Sequence, residues 1–203
     1  MMTSPGAGAA RHQGGEINIS MALTEIISEI CSLVPSFSHI DTGKIQVCIS
    51  SNRNNGRGAT FGKLVPLRFK GGEELLYFRG KCYAMPRVFQ NGTRLLYLVY
   101  FYSPRFIDLP PQEKLRVIFH ELYHISPNFN GDIRRFGKGG SAHGNSKKRY
   151  NLRFEKEMAE FMAHILSSHH WHFLSMDTGA LFSSYRKVFS HRMKTPRPAV
   201  ITR

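Results

Sequence analysis

The sequence predicts an α+β fold: one N-terminal helix, then a group of strands, then two helices. Three observations predict it. Apolar residues recur at helical spacing near 21–34, over 111–126 and over roughly 148–170. Between 45 and 102 they alternate, or run in β-branched and aromatic clusters. Segments rich in Gly, Asn and Pro separate these blocks. A chain of 203 residues with 41% hydrophobic content suits one domain with a sizeable core. The expected organisation is a disordered leader over 1–20, a domain over 21–170 and a basic tail over 171–203.

The elements follow in order. In "MALTEIISEICSLV" residues Leu23, Ile26, Ile27, Ile30 and Val34 share one helical face, with Ser20 as the expected cap. Ile45, Val47 and Ile49 alternate as a strand does, and "NRNNGRGATFG" reads as a loop without phosphate-loop spacing. "KLVPLRF" and "ELLYFRGKCYAMPRVF" read as short strands broken at Gly71-Gly72 and Gly80. "TRLLYLVYFYSP" is the densest strand signal. Pro110-Pro111 open the next helix, and Gln112 and Glu113 suit its first turn. A Gly-rich loop over 127–146 leads into a long helix of roughly 148–170, where Phe154, Met158, Phe161, Met162 and Ile165 form a core stripe.

Composition narrows the function. Lys and Arg number 28 against 14 acids, which points to a polyanion partner or an acidic substrate. The bases cluster: 42–72 holds six and no acid, 134–156 eight against Glu155, and 186–203 six and no acid. Cys31, Cys48 and Cys82 are odd in number and lack C-x-x-C spacing, which implies a reduced, cytoplasmic protein without a cysteine zinc site. Neither a membrane span nor the apolar run of a signal peptide is visible.

The chemistry concentrates in "IFHELYHISP". On a helix at about 100° per residue, Leu115, Ile118, Phe119, Leu122 and Ile125 form one face, and His120, Glu121 and His124 lie on the other. Side chains four apart are about 5–6 Å apart at Cβ, so both imidazoles can reach one zinc ion at about 2.0–2.1 Å. Glu121 is offset from that line and can act on a water instead. This is the H-E-x-x-H arrangement of metalloproteases, expected by chance roughly 0.02 times in such a chain. It predicts Zn2+ as cofactor and Glu121 as general base in hydrolysis of a protein or peptide substrate.

A catalytic zinc needs a third protein ligand. The metzincin extension is absent, because Pro127 and Asn130 occupy the positions of its glycine and third histidine. His143 in "GKGGSAHGNS" is the leading candidate, its flanking glycines letting the loop fold back over the metal. Glu157, Glu160 and His164 on the next helix are alternatives, and Asp132 is a weaker one. A second metal site is conceivable where His169, His170 and His172 cluster, although cationic side chains also suit a helix end. His12, His39 and His191 are isolated and expected at the surface.

"HELYHISPNFNGDIRRFG" followed by "AHGNSKKRYN" resembles the phage metallopeptidase family, whose members pair HEL-x-H with a Gly-Asp-Ile/Leu-Arg segment and a later His-Gly. The resemblance covers about 42–170 and is strongest over 115–151. It implies a compact zincin core with His120, His124 and His143 as ligands and Glu121 as base. A more distant likeness is to the SprT-like and Spartan proteases, which cut proteins on DNA and also use HExxH and a later His.

Further roles stand beside bland ones. Arg134 or Arg135 could polarise a scissile carbonyl, against a solvated basic loop. Tyr150 could donate to an oxyanion, against a packed aromatic. The strand 94–102 could be a sheet edge that takes an extended peptide, against an interior strand. The alternative to a peptidase is a nucleic-acid-binding protein whose zinc is structural or whose catalysis is lost, or a protease recruited to nucleic acid. Glu121 favours the enzyme, because a structural site has no need of a carboxylate beside its first ligand.

Overall fold

The computed structural model describes residues 14–51, 60–136 and 150–201. Its elements are β1 (Gly14–Asn18), α1 (Ile19–Leu33), β2 (Ile45–Ser51), β3 (Gly62–Pro66), β4 (Leu75–Phe78), β5 (Lys81–Ala84), β6 (Phe89–Gln90), β7 (Thr93–Arg94) and β8 (Tyr97–Ser103). Then come α2 (Pro111–Tyr123), α3 (Glu155–Ile165), α4 (His170–Ser175), α5 (Thr178–Ser184), β9 (Tyr185–Phe189) and β10 (Ala199–Val200). This is a mixed α+β fold with small sheets and several helices, the class that the sequence predicts, although a strand precedes the first helix and two short helices and two strands follow α3. No helix among the described residues is long and apolar enough to cross a membrane.

The central sheet has the order β2-β8-β3. β8 runs parallel to β2, with Val47 opposite Val99, and antiparallel to β3, with Leu64 opposite Val99. The strand with the densest apolar content is therefore interior, and the possibility that 94–102 forms an edge is corrected. Both faces explain the apolar run. Tyr97, Val99 and Phe101 point into the main core under α1 and α2, while Leu98 and Tyr100 join Cys48, Val65 and Leu67 in a second cluster on the opposite face. β3, with Leu64 and Val65 buried despite its place, is the edge beside α2.

α1 buries Leu23, Ile26, Ile27 and Ile30 completely or nearly so, as its spacing predicts. Its cap is Asn18 rather than Ser20: the Asn18 side chain accepts from the Ser20 and Met21 amides, while the buried Ser20 hydroxyl accepts from the His191 amide. α2 buries Leu115, Ile118, Phe119 and Leu122 fully. Residue for residue, burial of such side chains is worth about 1.5–3 kcal/mol each.

The long helix expected over 148–170 is interrupted. Arg153 and Phe154 close turns on the Tyr150 and Asn151 carbonyls, Phe154 adopts φ −119°, and α3 begins only at Glu155. The chain outside 21–170 also contributes to the fold. Gly14–Asn18 pairs in parallel with β9, and Phe173, Leu174, Met176 and Leu181 belong to the main core. Beyond β9, the His191 carbonyl accepts from the Ile49 amide at the outer side of β2, and β10 adds to β5. Cys31, Cys48 and Cys82 are all free thiols.

Candidate active site

α2 ends at its polar residues. Pro111 occupies the first turn, where a missing N–H costs nothing, and His124 closes the helix as its C-cap. The chain then doubles back: the Arg134 amide donates to the His124 carbonyl at 2.7 Å, and Ile125 bridges Ile133. Gly131, at φ +85°, lies against the Arg68 side chain where a Cβ would come within 2.8 Å. Asp132 then accepts from the Gly71 amide at 2.8 Å and from Arg135 at 2.8 Å, while its carbonyl accepts from the Tyr97 hydroxyl. The Gly-Asp-Ile segment thus fastens the turn after α2 to the β3–β4 connection and to β8.

His120, Glu121 and His124 are all buried. The two Nε2 atoms stand 3.2 Å apart. On the far side of each ring, His120 Nδ1 lies 2.8 Å from Asn151 Oδ1 and His124 Nδ1 lies 2.9 Å from the Tyr150 hydroxyl. A carboxamide oxygen only accepts, so the His120 proton belongs on Nδ1 and the Nε2 lone pair faces inward. In the same tautomer, His124 would donate to the Tyr150 oxygen and aim a second lone pair at the same point. Tyr150 stays protonated, its pKa raised by burial and then by the Glu121 carboxylate.

This geometry fits a tetrahedral metal. Two ligands at about 2.0–2.1 Å from zinc lie roughly 3.3 Å apart, close to the separation seen. Two inward lone pairs repel one another unless a cation lies between them. An amide oxygen and a hydroxyl at the far ring nitrogens are outer partners of the kind that orient metal-binding imidazoles. Asn151 and Tyr150 reach these positions because the helix expected over 148–170 breaks immediately after them.

Glu121 is held differently. Its Oε2 accepts from the Leu64 amide at 2.8 Å, an N–H that points off the edge of β3. Gly62 lets the two elements approach this closely, since a Cβ there would come within 2.9 Å of Glu121 Cγ and 3.1 Å of Val117 Cγ1. Between β3 and α2 runs a cleft of about 420 Å³, lined by Thr60 to Leu64 on one side and by Glu113, Arg116, Val117 and the three motif residues on the other. Arg116 is paired with Glu113 and, at 2.9 Å, with Glu155. A second groove of about 670 Å³ shares Lys63, Leu64 and Ile133 with it and carries Arg68, Lys70, Arg135 and Arg197.

The remaining candidates fall elsewhere. Arg134 stacks 4.2 Å from the Tyr123 ring and Arg135 pairs with Asp132, so neither lines the cleft. Tyr150 is a buried support for His124 and does not line the cleft either. Glu157, Glu160 and His164 line a separate pocket with Leu33 and Pro35. There Glu157 accepts from the Ser36 amide and His164 meets Glu29 at 2.8 Å. Asp132 spends its oxygens on the loop contacts above. His143 lies outside the described residues. Asn151, Gly62 and Leu64 are site residues that the sequence reading missed. The strand signal in "KLVPLRF" is the one clue to the β3 contacts, and nothing local marks Asn151.

The family described as "Putative phage metallopeptidase" matches residues 16–148, and the chain belongs to it. The activity that this description names is that of a metallopeptidase, a class that acts on proteins or peptides. No curated protein and no solved structure matches the chain.

Proposed function

We propose that this chain is a zinc-dependent peptidase with a zincin-like core, in which His120, His124 and His143 hold the metal and Glu121 is the general base. The observation that carries the reading is the convergence of His120 and His124 Nε2 at 3.2 Å beside a carboxylate fixed by a backbone amide. Zinc bound there would polarise the scissile carbonyl and bring the pKa of water toward about 7. Glu121 would take the proton from the attacking water and return it to the leaving amine. The Leu64 N–H, by gripping one carboxylate oxygen, limits the orientations that Glu121 must search. Asn151 and Tyr150 would keep both imidazoles in the metal-binding tautomer.

β3 supports an extended peptide as substrate, because it is the sheet edge along the cleft and can accept a strand by backbone hydrogen bonds. The basic groove continuing past Lys63 supports acidic residues on that side of the scissile bond. For the third ligand, the burial of Asp132 in loop contacts and the separate pocket of Glu157, Glu160 and His164 favour His143.

The test is hydrolysis of casein and of matched acidic and basic peptides by the zinc-loaded chain. Cleavage is expected, with acidic peptides favoured, and is expected to vanish in His120→Ala, His124→Ala and His143→Ala. Cleavage persisting in both motif variants overturns the assignment. The second reading, a nucleic-acid-binding protein with a structural zinc, rests on the net charge of +14. It requires affinity for nucleic acid that falls steeply with salt, alongside no hydrolysis of any peptide.

A further inference from the structure

Away from the cleft, α1 and the α3–α4 junction bring a second set of ligand-type side chains together. Glu25 and Glu29 lie one turn apart on α1, so their carboxylates leave the same face. His169 and His170 stand against them, with ring centroids 3.8 Å apart. Ligand atoms of Glu25, His169 and His170 all lie within 4.8 Å of one another. The buried His170 sits between the two carboxylates, Nδ1 at 4.0 Å from Glu25 and Nε2 at 3.7 Å from Glu29. Glu29 is itself held by His164 at 2.8 Å and Ser168 at 3.5 Å.

We propose that Glu25, His169 and His170 form a second divalent transition-metal site, of the zinc class, separate from the cleft. The 4.0 Å between Glu25 and His170 Nδ1 is too long for a hydrogen bond. It is close to the roughly 3.3 Å that separates two ligands of one tetrahedral zinc. Glu25 and His169 are exposed, so rotation of their side chains can close the remaining gap without disturbing the core. A metal on the Nδ1 side of His170 leaves its Nε2 facing Glu29 at 3.7 Å, a few tenths of an ångström outside the hydrogen bond that would complete a carboxylate–histidine–metal arrangement. Two imidazoles and one carboxylate select zinc-like ions over Mg2+ or Ca2+, which favour all-oxygen sets. Occupancy would tie α1 to α4, two elements far apart in the chain.

The site does not depend on the peptidase reading, and the experiment separates the two. In the full chain carrying His120→Ala and His124→Ala, titration with Zn2+ by calorimetry and with Co2+ by absorption should still find one equivalent bound. Adding Glu25→Gln and His169→Ala, both at exposed positions, should weaken that binding by at least ~10-fold. It should also abolish the zinc-dependent rise in thermal midpoint. In the otherwise unaltered chain, the same pair of changes should lower the metal count from two to one and leave peptide hydrolysis unchanged. A first variant that takes up no metal while remaining folded, or an unaltered affinity after Glu25→Gln and His169→Ala, overturns the proposal.

Discussion

In the cleft, the far nitrogen of each imidazole has a partner within 3 Å, at Asn151 and Tyr150, and both rings are buried. At Glu25, His169 and His170 the shortest carboxylate approach to His170 is 3.7 Å, and two of the three side chains are exposed. The residue types are nearly the same. What differs is support: in the first cluster all three side chains are buried at the end of a helix, and in the second only His170 is buried, beside the exposed Glu25 and His169. Rigid support fixes geometry before a ligand arrives, and geometry fixed in advance is what catalysis needs. A binding staple can afford to be assembled by the ion itself.

The sharpest way to break the comparison is Glu121→Gln. The amide keeps the shape and can still meet the Leu64 amide through its oxygen, but it takes up no proton at neutral pH. Peptide hydrolysis should fall at least ~10²-fold while zinc content and circular dichroism persist. An equal rate in the variant removes Glu121 from the role of base, and loss of zinc makes it a support of the metal.

Next in size is the outer support. Asn151→Ala should weaken zinc binding at the cleft by roughly 10- to 100-fold, read by competition with a chelating dye. Glu29→Gln, its counterpart at the second cluster, should cost less, because Glu29 stands 3.7 Å from His170 rather than at hydrogen-bond distance. Gly62→Ala probes the approach of β3 to Glu121. Overpacking of this kind costs typically about 1–3 kcal/mol, to be seen in urea unfolding, with a drop in hydrolysis of about tenfold for displacing the base.

The smallest effect concerns the residue that joins the two regions. Lys114, buried on α2, donates to the Leu174 and Met176 carbonyls at 2.8 and 2.5 Å, and so holds the end of α4. Burial pulls its pKa from 10.5 to about 8. The folded chain therefore releases this proton before the unfolded chain does. The penalty for the buried charge is complete below pH 8, and the contribution of Lys114 to stability rises with pH from about 8 toward 10.5. Relative to Lys114→Met, the parent should gain about 1 kcal/mol between pH 8 and 9 in urea unfolding. A flat difference would mean that the two carbonyls keep Lys114 charged. Above pH 9 the parent's own curve turns down, because the buried Cys31 and Cys48 thiols are raised to about 12 and about 11.

What could be read from the sequence was local. His120, Glu121 and His124 were legible because one helical turn sets their relation, α1, β2 and α2 because each carries its own period, and β8 because of its dense β-branched and aromatic run. Asn151 was not legible, since it meets His120 across 31 residues through a break in what reads as one continuous helix. The edge strand was not legible either. Leu64 and Val65 are as apolar as an interior strand because each face of β3 packs against a different cluster. Residues 14–18 and 171–201 read as parts of a leader and a tail, because the leader is rich in Gly, Ala and Ser and the tail is basic and contains proline. Their order comes from pairing with each other and with distant strands, which composition does not record.

That last pairing has a consequence for how the chain is made. Asn18, which caps α1, is the final residue of β1, and β1 lies beside β9 with Glu16 opposite Lys187. During synthesis at about 5–20 residues per second, the first strand waits roughly 10–30 seconds for its neighbour to be made. Closing so long a loop adds an entropic cost that grows only with the logarithm of length, but contacts so distant in sequence are made late. The segment carrying His120, Glu121 and His124 is translated well before the strand that completes the frame around α1. A ribosome that stalls before residue 185 would leave β1 without β9, and with it the brace at the start of the first helix.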